Sequence, residues 1–127
     1  MLDLDHFKDI NDKHGRPTGD MALRAVARCI SSTVRTSDIV GRFGGEEFAV
    51  FLPEIQSDVL DMVAEKVRRC IESLHPGGMH VTASIGLAEG VIAGSPLAGL
   101  RALIDKADAR LYRAKELGRN RVVGDVG

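Results

Sequence analysis

Apolar residues recur along this 127-residue chain in two rhythms: steps of three and four that mark helices, and strict alternation that marks strands. Leu23, Val26, Ala27, Ile30 and Val34 share one helical stripe, and Asp20 suits the first turn of that helix, where an acid favours the dipole. A second stripe, Leu60, Val63, Ala64, Val67, Ile71 and Leu74, begins after the capping residue type Ser57 and ends before Pro76-Gly77-Gly78. A third runs through Leu100, Leu103, Ile104, Ala107, Leu111 and Ala114. Ser95-Pro96 opens it in the N-cap and N1 positions, and Gly118 stops it. Met79, Val81, Ala83, Ile85 and Leu87 alternate, which predicts a strand over 79–88 with one buried face. Ile39-Val40 and Phe48 to Leu52 flank Gly44-Gly45, a pair suited to the positive φ of a two-residue hairpin turn, and Pro53 closes the second strand. Residues 1–4 and Val122-Val123 read as short strands, and 5–19 as a polar stretch closing with Gly15 and Gly19.

The order β, α, β, β, α, β, α, β predicts an α+β sandwich, with helices on one face of a mostly antiparallel sheet. Its first strand and hairpin are expected to be neighbours, bringing Asp3 and a glutamate of the "GGEE" turn to one end. Alternation sends Glu46 and Glu47 to opposite faces, so both reach one site only if the turn twists, which double glycine permits. Seventeen basic and eighteen acidic residues leave a charge of -1. That balance argues against nucleic acid or an anionic membrane as partner, and any phosphate binding must be local. Cys29 and Cys70 fall among apolar helical positions without metal or redox spacing, and read as core thiols of a reducing compartment. With neither a leader pattern nor a membrane-length apolar run in this segment, the expected location is cytoplasmic, although a longer protein could be membrane-anchored.

The stretches "DLDHFKDINDKHG", "TGD", "RTSD", "GRFGGEEF", "VTASIGLA" and "ADARLYRAKELGRNRV" together resemble the GGDEF diguanylate cyclases of bacterial signalling. Their order and spacing cover nearly the whole chain. The resemblance implies a palm-like fold, related to the ferredoxin-like sandwich, in which two copies each bring one GTP and join them into cyclic di-GMP with release of two pyrophosphates.

Attack of a ribose 3′-hydroxyl on an α-phosphate calls for a divalent ion, magnesium with manganese as substitute, and hard ions take oxygen ligands. Asp3 and Glu46 are the best pair, and the resemblance adds the Leu4 carbonyl and the Glu47 carboxylate. Glu46 is also the family's candidate proton acceptor. Metal binding takes precedence for it, because one carboxylate does not easily act as ligand and base together. Asp5 shares a strand face with Asp3, but the family does not use it as a principal ligand, and a capping or solvated role is equally open to it. A calcium loop over 3–14 fails, since Lys8 stands where glycine is needed and His14 where a bidentate glutamate is needed.

Guanine offers two adjacent donors that the carboxylate of Asp20 can accept together, whereas adenine presents an acceptor at N1. Asn11 can serve a neighbouring guanine edge, and both residues match the family's guanine contacts. As a turn former and a helix-start residue, each also has an ordinary structural role. Lys8, Lys115 and Arg119 are the phosphate-neutralising candidates, with Lys8 stabilising charge developed in the reaction. Arg16 replaces a histidine common in the family and retains reach to phosphate or ribose. "RTSD" matches the family's inhibitory site, where Arg35 and Asp38, helped by Arg42, meet product guanines and phosphates; alone it would be a surface ion pair.

The family carries a helix and a turn ahead of the first strand, whereas only Met1 and Leu2 precede Asp3 here. The chain is therefore expected to be an N-terminally truncated GGDEF domain over 1–127, monomeric and slow alone, dimerising for catalysis through an upstream module. The alternative is a non-catalytic module that binds cyclic di-GMP or GTP; turnover of GTP with magnesium separates the two.

Overall fold

A computed structural model describes residues 1–124. The elements run β1 (Leu2–Leu4), α1 (Phe7–His14), α2 (Arg16–Thr33), β2 (Ile39–Arg42), β3 (Glu47–Phe51), α3 (Ser57–Glu72), a 3-10 turn (Pro76–Gly78), β4 (Ala83–Gly86), α4 (Pro96–Glu116) and β5 (Val122–Val123). The strands form one mixed sheet in the order β2-β3-β1-β4-β5. Every pairing is antiparallel except β4 with β5. The expected α+β class and the neighbouring of first strand and hairpin therefore hold.

Both faces of the sheet are covered, not one. Leu2 pairs with Phe48 and Ile85, and Leu4 with Ala83. These residues share one core with Leu23, Val26 and Ile30 of α2 and Ala64, Val67 and Ile71 of α3. Truncating a side chain as enclosed as Ile30 costs about 2–5 kcal/mol. On the opposite face α4 rests directly on backbone: a Cβ at Gly86 would lie 2.1 Å from the Ala107 carbonyl oxygen and 2.2 Å from the Leu111 nitrogen. Double coverage also explains why Ser84, on the polar side of the alternation, is fully buried. The strand over 79–88 is shorter than its pattern, because β1 offers only three residues to pair with it.

Helix α1 lies within the stretch read as polar; Phe7 and Ile10 are its inward residues, too few to announce a stripe. Helix α2 begins at Arg16 with Pro17 in its first turn, so Asp20 is not a first-turn residue. The hairpin is wider than a two-residue turn: residues 43–46 link β2 to β3, and neither Gly44 nor Gly45 has positive φ. Ser57 does not cap α3 through its side chain; its hydroxyl donates to Glu89 instead. Ser95 does cap α4, accepting from the Ala98 amide.

Cys29 of α2 and Cys70 of α3 form a disulfide, with Cα atoms 6.0 Å apart. The expectation of two core thiols is thereby corrected. Packing of α2 on α3 joins positions 41 residues apart, a proximity that spacing along either helix does not encode. Among the described residues no helix is long and apolar enough to cross a membrane.

Candidate active site

The sheet places Asp3 in register with Glu47 across β1 and β3, and cross-strand partners project to the same face. Glu46 precedes β3 in the connecting loop, its carbonyl accepting from the Leu4 amide at 3.3 Å. Lys115, in the last turn of α4, reaches down to Asp3 with Nζ 2.5 Å from Oδ2. Asp3 is 5% exposed, and burial pushes its carboxyl above the ordinary value; the Lys115 bond opposes that rise, and Glu46 and Asp5 add to it. Glu47 is raised as well, by burial first and then by Asp3 and Asp108. One ammonium thus serves several crowded carboxylates. Among the described residues no three side chains are gathered closely enough to hold an ion by themselves. The donors fit a hard cation all the same, since they are oxygens whose mutual repulsion a positive charge relieves.

Asp5 is not solvated, the second of the roles left open to it. It is 4% exposed and accepts from Thr82 Oγ1 at 2.7 Å, Ser84 Oγ at 2.6 Å and the Asn120 amide at 3.0 Å. Asn120 also accepts from Arg68 Nη1 at 2.8 Å and donates to Glu72 through its side chain. The alternation of "DLD" put Asp5 on the side of Asp3, but nothing local signals partners 77, 79 and 115 positions away. Arg119 itself is exposed beyond the end of α4, in the left-handed region at φ 66.

The packing of α1 on α2 sets Asn11 against Gly19, the residue before Asp20. A Cβ on Gly19 would stand 1.9 Å from Asn11 Oδ1, so only glycine permits this approach. Asn11 Oδ1 is buried without a hydrogen-bond partner, and the adjoining Asp20 is exposed. An unsatisfied buried acceptor is rare enough to mark a site. Lys8 on α1 and Arg16 at the start of α2 are exposed nearby in sequence.

Arg35 and Asp38 form a separate corner between α2 and β2. Arg35 Nη2 donates to Asp38 Oδ1 at 2.7 Å and to the Pro53 carbonyl at 2.8 Å, and its backbone amide donates to Asp38 Oδ2 at 2.7 Å. These bonds hold the Asp38 carboxyl below its ordinary value. Arg42 donates to the Gly45 carbonyl. All three residues bind each other or backbone, so a ligand here has contacts to displace.

Residues 1–121 match the family described as diguanylate cyclase, GGDEF domain. Diguanylate cyclase VdcA of Vibrio cholerae is 43% identical over 130 residues, covering 97% of this chain and 37% of that protein. The chain spans about a third of the length of the curated relatives it matches. The GGDEF domain of DgcB from Caulobacter crescentus, solved in complex with c-di-GMP, superposes with a TM-score of 0.86 at 35% identity, covering 97% of this chain and 74% of that one. The active GGEEF domain of a diguanylate cyclase from Vibrio cholerae gives a TM-score of 0.88 at 28% identity over 99% of this chain and 80% of its own. Residues 44–48 of this chain read the same five letters.

Proposed function

The chain belongs to the diguanylate cyclase GGDEF domain family, and on that premise we propose that it is a catalytic domain condensing two GTP into cyclic di-GMP and two pyrophosphates. The observation that carries this reading is the set of carboxylates at the sheet end, Asp3 in register with Glu47 and beside Glu46, with Lys115 bound to Asp3. Asp3, Glu46, the Leu4 carbonyl and Glu47 would hold magnesium or manganese. Such an ion, when bound, polarises the α-phosphate and stabilises the departing pyrophosphate.

The chain's own residues supply the rest. Lys115 neutralises Asp3 in the nucleotide-free protein; when a triphosphate arrives, its ammonium turns to phosphate oxygen and leaves Asp3 free as a ligand. Lys8 and Arg119 add cations along the triphosphate, and Arg16 lies within the same part of the chain. Asn11 and Asp20 read the guanine edge, the acceptor pair matching donors that adenine lacks. Glu46 is ligand first, and the 3′ proton leaves through it or through water. Each domain carries one GTP, so the phosphodiester bonds form only where two copies face each other. The nucleotide substrate places the reaction in the cytoplasm. Arg35, Asp38 and Arg42 form the product-inhibition site.

The test is turnover of GTP with magnesium by the dimerised protein, followed by release of both cyclic di-GMP and pyrophosphate. Pyrophosphate and product in a ratio of two to one supports the cyclase. Saturable GTP binding without pyrophosphate release assigns the chain instead to nucleotide-binding modules.

A further inference from the structure

We propose that Asp5 and Asn120 are positioning residues that set Arg119 against the triphosphate, an inference that rests on the phosphate role given to Arg119 above. Strand β1 and the residue after it hold the end of α4 and the turn beyond it at two points: Asp3 holds Lys115, and Asp5 accepts from the backbone amide of Asn120. Arg119 lies between these grips. Its exposed side chain extends from a left-handed backbone, φ 66, and is followed by a second left-handed residue, Asn120 at φ 46. Two consecutive non-glycine residues in this region are costly, and they persist only where surrounding contacts dictate them.

Those contacts converge on Asn120. Its amide goes to Asp5, its side-chain oxygen accepts from Arg68, and its side-chain nitrogen donates to Glu72. Arg68 is itself held by Glu65. The Arg119 amide donates to the Ala114 carbonyl at 2.9 Å. Asp5 is buried and satisfied by Thr82, Ser84 and Asn120, so its charge is committed to the fold and not offered to a ligand. The network therefore acts on the nucleotide through the direction of Arg119.

The test measures binding of a non-hydrolysable GTP analogue with magnesium by calorimetry, and of guanosine by chemical-shift titration. Asn120→Gly retains the amide bond to Asp5 and accepts positive φ, but removes both side-chain links; Asp5→Asn keeps the shape and removes the charge. Each is expected to weaken the triphosphate analogue about tenfold while leaving guanosine within about twofold. In an Arg119→Ala background, Asn120→Gly should cause no further loss, because its effect passes through that arginine. Equal weakening of both ligands, no weakening in Asn120→Gly, or full additivity with Arg119→Ala would overturn the inference. If Arg119→Ala leaves analogue binding unchanged, or the unmodified protein does not bind it, the phosphate role itself fails and takes the inference with it.

Discussion

The acidic end of the sheet and the Arg35 corner hold similar groups in opposite conditions. At the sheet end carboxylates outnumber nearby cations, and burial and repulsion raise Asp3 and Glu47. At the corner Arg35 and Asp38 satisfy each other so fully that the aspartate side chain is 1% exposed and its pKa is lowered. A cation or donor arriving at the first region relieves a cost already present. A ligand arriving at the second must first break an ion pair. The difference ranks the two regions as ligand sites: the sheet end gains from an arriving cation, and the corner must give up contacts first.

Removing charge from the frustrated region should have the largest effect. Glu46→Gln is expected to lower GTP turnover by about a hundredfold or more, the scale of losing one group that stabilises developing charge, with circular dichroism unchanged. Turnover within twofold of the parent at saturating magnesium would remove Glu46 from the site.

Stability should depend most on the other region. The disulfide closes a span of 41 residues, for which chain entropy gives a stabilisation on the order of 3–4 kcal/mol. Cys29 sits in the last turns of α2, where its carbonyl accepts from Ser32 and Thr33 just ahead of Arg35. Reduction, or Cys70→Ser, should lower the melting temperature and raise amide exchange across 30–38 more than across 2–5. Identical melting with and without reductant, with two thiols titrated in both samples, would show that the cross-link does not form in solution.

Recognition of the base comes next in size. Asp20→Asn should weaken GTP by about 1–3 kcal/mol, roughly five- to 150-fold, through loss of a charged acceptor. ATP binding should be unaffected. Equal loss for both nucleotides would deny Asp20 a guanine role.

Legibility in the sequence divides along the same line as the chemistry. The neighbouring of β1 and the hairpin, the α4 cap and the succession of strands along the chain were readable because alternation, Ser95-Pro96 and the glycine breaks are local signals. The family membership was legible in stretches such as "GRFGGEEF". Contacts between distant segments were not readable: Cys29 with Cys70, Asp5 with Thr82, Ser84 and Asn120, and α4 lying on Gly86. Helix α1 escaped for a different reason, since it buries Ile10 alone and carries its remaining information in polar side chains.

Acid should separate the two regions in order. Asp3 and Glu47, raised by burial, take up protons above the ordinary carboxylate range near pH 4, so magnesium affinity should fall by up to about tenfold per pH unit for each group that titrates. The ion-free protein gains stability over the same drop, because protons enter groups whose charge burial disfavours. Asp38 behaves oppositely: its contribution is complete above its unfolded value and is lost only as pH falls through its lowered folded value. Calorimetry of magnesium and GTP, alongside the nuclear magnetic resonance signal of Arg35 Nε–H from pH 7.5 to 4, should show ion affinity failing first. Simultaneous failure would contradict the contrast.

The smallest expected effect concerns product binding at the corner. Charge-assisted hydrogen bonds that Arg35 donates to phosphate and Asp38 accepts from a guanine edge would favour the product. Against them stand the Arg35–Asp38 ion pair and the Arg35 bond to the Pro53 carbonyl, which must be given up. The net gain is small, so Arg35→Ala and Asp38→Ala should each weaken cyclic di-GMP only about fivefold. Because the corner lies apart from Asp3, Glu46 and Asp20, neither change should alter the initial rate of GTP turnover, while both should delay its decline as product accumulates. Calorimetry on folded protein decides the matter. Absence of binding at high micromolar cyclic di-GMP would leave Arg35 and Asp38 as a structural ion pair that fixes the passage from α2 into β2.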